Sequence, residues 1–192
     1  DPENESAMRE LADLYRENDR ADEAVAMLFK LADVLVAAGE TGKVEGILRE
    51  VLSLDPENID AHLRLRDHYV AAEDTPRAII EMRRAAELLM KRDEKADAKD
   101  LYRNIVNLDE RDLDARQSLK ALLREEGDVA GATDQLMTMA VMEQEGGNLR
   151  EAASHLREAL ELDPENEGAF ESPKDIYVEL GEIEPAVELI KQ

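Results

Sequence analysis

Catalysis and metal binding need particular side chains at particular spacings, and this chain offers few of them. It has three histidines, His62, His68 and His155, and no cysteine. His62 and His68 stand six residues apart, not the i, i+4 spacing of a helical metal pair, and no His-Glu-x-x-His occurs. Gly42-Lys43 lacks the upstream glycine of a phosphate loop, and neither Gly-x-Gly-x-x-Gly nor Gly-x-Ser-x-Gly is present. Carboxylates are abundant, but in so acidic a chain they meet by chance, and nothing marks one pair as a general acid and base. The acidic Asp-Pro-Glu-Asn turns lack the Asp-x-Asp-x-Asp-Gly order of a calcium loop and read as turn chemistry. Among the seven methionines, Met137, Met139 and Met142 lie on a helix apolar all round, where core filling explains them better than an adaptable peptide groove. These residues give no support for an enzyme, a metal centre or a cofactor.

Composition narrows the partners. Of 192 residues 43% are apolar, enough for a folded chain of one or two domains. Lys plus Arg number 24 against 47 Asp plus Glu, a formal charge of −23. Such a surface repels phosphate backbones and anionic lipid, so nucleic acid and membrane are excluded as expected partners and a basic or neutral protein is favoured. No run approaches the ~18 apolar residues of a membrane helix. The absence of cysteine fits a reducing compartment, and the expectation is a cytoplasmic protein. Because the chain opens with Asp1-Pro2, it reads as a piece of a longer one.

The elements that must position any site emerge on sliding the chain along itself. Asp1-Pro2-Glu3-Asn4 recurs as Asp55-Pro56-Glu57-Asn58, as the weaker Asp109-Glu110, and as Asp163-Pro164-Glu165-Asn166, each 54 residues after the last. The units are 1–54, 55–108 and 109–162, with a partial unit 163–192. Each full unit reads as three helices. The first carries an apolar stripe, Ala7, Leu11, Leu14 and Tyr15, repeated as Ala61, Leu65, His68 and Tyr69 and as Ala115, Leu119, Leu122 and Leu123. The third carries Val44, Ile47, Leu48, Val51 and Leu52, answered by Ala98, Leu101, Tyr102, Ile105 and Val106 and by Ala152, His155, Leu156, Ala159 and Leu160. His68 and His155 therefore occupy core or boundary positions. The middle helix is apolar over nearly its whole circumference, from Ala24 to Leu35, which places it between its neighbours. Gly39 and Gly147 mark its end in two units, and Thr75 before Pro76 reads as a cap and first helical position. Pro173 breaks the pattern, so Ser172 is expected to cap a shortened helix there. The whole chain comes to about eleven helices.

At Leu11-Ala12, Tyr15, Ala24, Leu31-Ala32, Leu35, Gly39, Val44, Leu48, Val51 and Leu54-Asp55-Pro56 the pattern resembles the tetratricopeptide repeat, a helix–turn–helix unit of about 34 residues. Residues 25–58 span one such unit and end in the family's Leu-Asp-Pro-x-Asn. The early Trp of the family is absent, Val44 replaces a small residue, and each period holds one extra helix. The resemblance implies an all-α right-handed solenoid, 1–192 as a single domain, and a non-catalytic scaffold or adaptor that binds a protein or peptide along its groove. It also implies that ligands lie along first-helix residues. One branch of the family grips a terminal carboxylate through Lys, Asn and Arg. The position of that Asn corresponds here to Asp13, Asp33, Asp67, Glu87, Ala121, Val141 and Asp175, mostly acidic, which disfavours such a clamp and favours a basic or neutral segment. Arg9 and Arg16 flank the first of these.

Charge is uneven along the chain. The second unit alone is nearly neutral, with 12 acidic and 10 basic residues, and its cations crowd at Arg83, Arg84, Lys91, Arg92, Lys95, Lys99 and Arg103. They form either a solvated turn with pairs such as Glu87–Lys91 or a docking patch for an acidic surface. The patch also allows a second reading, in which acidic units of one copy meet the basic unit of another and the protein self-assembles head to tail.

Overall fold

The computed structural model describes residues 2–166 together with Gly168 and Ile176, with side chains from Asn4 onward. Among the described residues there are nine α-helices and no strand: α1 (Pro2–Glu17), α2 (Ala21–Ala37), α3 (Thr41–Leu54), α4 (Ile59–Ala71), α5 (Thr75–Lys91), α6 (Lys95–Leu108), α7 (Leu113–Glu126), α8 (Val129–Glu145) and α9 (Leu149–Leu162). Of the eleven helices expected, nine lie among the described residues; the last two, with Ser172 and Pro173, fall outside them. Turns of two to four residues join successive helices. The chain divides into two compact units, Asp1–Leu101 and Tyr102–Gln192.

Local chemistry explains where the helices begin. The Asn58 side chain accepts from the Ala61 amide at 3.0 Å, Asp112 from Ala115 at 2.9 Å and Asp128 from Gly131 at 2.9 Å, each satisfying an amide that the first turn leaves bare. For α5 the cap is Asp74, which accepts from the Arg77 amide at 3.1 Å, and not Thr75 as expected; Thr75 is already helical. Aspartates also shape the turn after each third helix. Asp55 Oδ1 accepts from the Glu57 amide, Asp109 from Arg111 and Asp163 from Glu165, at 3.2, 3.0 and 3.3 Å.

Two turn positions need a left-handed backbone, and they recur through the chain. Asp19, Glu73 and Gly127 have φ of 56, 56 and 85°, and Gly39, Asp93 and Gly147 have 76, 62 and 79°. Glycine adopts this conformation without penalty, whereas a side chain costs about 1–2 kcal/mol. Half of these positions lack the residue best suited to them.

Packing follows the stripes. In the first unit α2 packs on α1 and on α3, and α3 on α4. One cluster joins Leu31, Leu35, Val44, Leu48, Leu65 and Tyr69; another joins Ala12, Leu28, Val51 and Ala61. Each fully buried leucine contributes about 1.5–3 kcal/mol. The middle helix is less enclosed than its composition suggests, for Ala26, Lys30, Asp33 and Val36 leave an exposed stripe. In the second unit Leu136 and Met139 are fully buried and Met137 packs beside them, so these methionines fill core. Ile176 is buried against Ala140, Ala152 and Leu156. The first-helix stripe is not uniformly buried: Leu65 and Leu119 are, but Leu11 and Leu14 are exposed, because among the described residues nothing packs on that side of α1.

Candidate partner-binding groove

Between α2, α3 and α4 of the first unit lies an apolar cavity of about 470 Å³. Buried Ala32, Val44 and Leu48 form its floor, and Val36, Ala71 and Ala72 its apolar lip. The space exists because alanines stand at three of these places, where a leucine would reach across. Asp33, Arg64, Asp67 and His68 supply the polar edge. Its volume falls within the ~300–1,000 Å³ of small-ligand sites, and its walls fit one or two large apolar side chains.

Arg64 is held firmly at this edge. Its guanidinium lies 4.7 Å from the Phe29 ring centroid, its Nε donates to Asp60 at 3.1 Å and its Nη1 donates to Asp33. Asp67 is paired with Arg66 at 2.8 Å, yet two thirds of its side chain remains in solvent. Asp33 and Asp67 thus come together at one cavity. Asp13 and Glu87 do not line it, and Asp175 lies outside the described residues.

The described acids of the expected row are paired with arginines. Asp13 pairs with Arg16 at 2.8 Å and with Arg9 at 3.8 Å, and Glu87 with Arg84 at 3.1 Å. Asp33 meets Arg64 of α4 and Asp67 meets the adjacent Arg66, so every described acid of the row has an arginine beside it; only the partners of Asp13 and Glu87 come from the i, i+3 and i, i+4 spacing of one helix. Arg9 and Arg16 themselves converge on Glu50 of α3, at 2.7 and 3.0 Å, tying α1 to α3. They are not among the residues that line the cavity.

The basic cluster is similarly engaged. Lys91 reaches Glu57 at 3.1 Å in place of the expected Glu87, Arg92 donates to the Glu57 carbonyl at 3.3 Å, and Lys95 meets Asp93 at 3.2 Å. Arg83, Lys99 and Arg103 also have partners.

Sequence reading missed the polar seams between helices. His62 Nδ1 lies 2.6 Å from Glu81 Oε2, and its Nε2 faces the Pro56 carbonyl at 3.4 Å. Shifted by one period, the same places hold Arg116, which donates to Gln135 Oε1 at 2.8 Å and to the Glu110 carbonyl at 2.9 Å. Glu45 is a second hub: it accepts from the Tyr69 hydroxyl at 3.0 Å and from Arg49 at 2.8 Å, while Arg77 lies 3.4 Å away and stacks on the Tyr69 ring. In the second unit the nearly buried Lys120 donates to both oxygens of Glu158 at 2.9 Å. Burial, then the charge of Lys120, pushes the pKa of His155 below its ordinary value. Among the described residues no three His, Asp or Glu side chains converge as a metal would require. The signal for these pairs lay in the repeat itself, since Arg16 with Glu50 recurs two periods on as Arg124 with Glu158, 3.6 Å apart.

No family model matches the chain, and no curated protein matches it. Among solved structures it is similar to YrrB, described as a TPR protein with an unusual peptide-binding site, at 19% identity and a TM-score of 0.34, over 84% of this chain and 96% of that one. It is similar to BtubC from P. vanneervenii, at 15% identity and a TM-score of 0.42, over 99% and 85%. A tetratricopeptide repeat protein from Parabacteroides merdae matches at 15% identity and a TM-score of 0.30, over 87% and 77%.

Proposed function

We propose that the chain is a non-catalytic protein-interaction scaffold, a right-handed solenoid built on a 54-residue three-helix repeat, that takes a segment of a partner protein into the groove between α2, α3 and α4. The observation that carries this reading is the cavity itself: an apolar floor open to solvent and rimmed by charge. The helix bounds support the repeat, for α2, α5 and α8 begin at residues 21, 75 and 129 and α3, α6 and α9 at 41, 95 and 149. A scaffold of stacked helices needs no reactive residue, because affinity comes from contacts spread over several helices. The acidic balance favours a basic or neutral partner, and a cytoplasmic setting accompanies it.

The test is capture of partners from native lysate followed by cross-linking and mass spectrometry. Cross-links should concentrate on residues 29–72, and Asp33→Asn with Asp67→Asn should weaken capture while Asp13→Asn with Glu87→Gln does not. Cross-links confined to other helices would defeat the groove assignment. A second reading, self-association end to end, is favoured by the exposed Leu11 and Leu14 of α1. Light scattering at several concentrations separates the two, since an invariant monomer mass ends the self-assembly reading.

A further inference from the structure

The cavity also carries information about what enters it, and this inference rests on the reading of the groove as a partner site. We propose that its occupant is a peptide segment presenting one large apolar side chain, Leu, Ile, Met or Phe, with a Lys or Arg next to it.

The apolar half follows from the lining. Val36 is 56% exposed at the lip, continuous with Ala71, Ala72 and the buried Val44 and Leu48. In water this surface gains by accepting an apolar group, and a polar one would lose its hydration without a partner on the apolar floor.

The cationic half follows from counting charge at the mouth. The lining carries two carboxylates, Asp33 and Asp67, and one guanidinium, Arg64; behind them Asp60 pairs with Arg64 and Arg66 with Asp67. Arg64 is divided between Asp33 and Asp60 and lies face-on to Phe29, so this trio keeps one net negative charge. Asp67 meets Arg66 through a single exposed contact, which contributes little and leaves most of its acceptor positions to solvent. What remains at the mouth to bind a ligand is therefore chiefly acceptor. A lysine or arginine beside the buried side chain meets Asp67 in a charge-assisted hydrogen bond, whereas a glutamate there meets net repulsion.

The experiment is an NMR titration of the ¹⁵N-labelled full chain, which reads millimolar binding. The probes are short Gly/Ser peptides with Leu-Lys, Ala-Lys or Leu-Glu at their centre. The Leu-Lys peptide should shift the amides of Val36, Thr41 and Ala71 in a saturable way. Replacing its Leu by Ala, or its Lys by Glu, should each weaken binding roughly tenfold. Ala71→Trp, at an exposed position that fills the cavity, should abolish the shifts while leaving the melting temperature unchanged, and Val36→Glu serves as a second block should that variant fold poorly. Asp67→Asn should weaken the Leu-Lys peptide and remove the penalty on Leu-Glu. Equal binding of Leu-Lys and Leu-Glu overturns the cationic half, and shifts undiminished by both Ala71→Trp and Val36→Glu overturn the apolar half. No saturable shift with any peptide overturns the inference entirely. The groove reading stands or falls separately, because lysate capture tests it with intact partners.

Discussion

Two seams of this protein solve one problem differently. Between α4 and α5 a histidine and a glutamate meet, His62 on Glu81, with the Pro56 carbonyl behind; between α7 and α8 the equivalent places hold Arg116 and Gln135, with the Glu110 carbonyl behind. In the first unit the chain carries Met8 and Met27 at these places. The side-chain pair passes from two thioethers, to a histidine on a carboxylate, to a permanent cation on a neutral acceptor, and the two polar pairs also meet a turn carbonyl. The position is thus defined by its need to fill space, and the identity of the pair is secondary so long as both members change together.

Breaking the pair shows this most directly. Arg116→Met alone should destabilise the second unit by about 1–3 kcal/mol, because Gln135 Oε1 is left buried without its donor. Adding Gln135→Met should recover most of that loss, recreating the Met8 and Met27 arrangement. Chemical denaturation of the single and double variants measures both, and a double variant as unstable as the single would disprove the equivalence.

The turns leading into α5 and α8 sharpen the comparison. Glu73 and Gly127 share the left-handed conformation, so Glu73→Gly should stabilise by about 1 kcal/mol and Gly127→Ala should cost about the same. Thermal melting of the two variants should move in opposite directions. Thr133 is a smaller defect specific to α8: its hydroxyl is buried without a hydrogen-bond partner, where α2 carries Val25. Thr133→Val should raise stability by about 0.5–1 kcal/mol.

The smallest effect expected is on pH. His155 has a folded pKa below its unfolded one, so the unfolded chain binds the extra proton first. Its contribution is complete above the unfolded value of about 6.5 and is lost as pH falls toward the folded one. The melting temperature should decline below about pH 6.5 more steeply in the native protein than in His155→Gln. Parallel profiles would remove His155 as the cause.

Much of this architecture was legible in the sequence because short-range physics wrote it. Leu65 and Leu119 lie on the faces that their spacing assigned, and Gly39 stands where α2 stops. Asp74 displaced Thr75 as the cap because both are good cap residues one position apart, and propensity does not separate them. The site was harder to read. The repeat singles out Asp33 and Asp67 by position, and they share the cavity. Their arginine partners were not foreseen, because Arg64 reaches Asp33 from 31 residues away, a distance that no helical periodicity encodes. The cavity itself depends on the smallness of Ala32, Ala71 and Ala72, and nothing in a sequence distinguishes an alanine that fits its neighbours from one that leaves a hole.

The pairwise packing of neighbouring helices also bears on how the chain acquires its form. Among the described residues the extensive contacts join α1 with α2, α2 with α3, α3 with α4, α4 with α5, α7 with α8 and α8 with α9. Each closes a loop no longer than two helices and a turn, so little chain entropy is lost before a contact forms, and such local topologies refold fast. A helical hairpin can nucleate at several places along the chain and recruit its neighbour. Injury to one seam should then stay close to that seam, loosening the helices on either side while amide exchange in distant hairpins keeps its native rate.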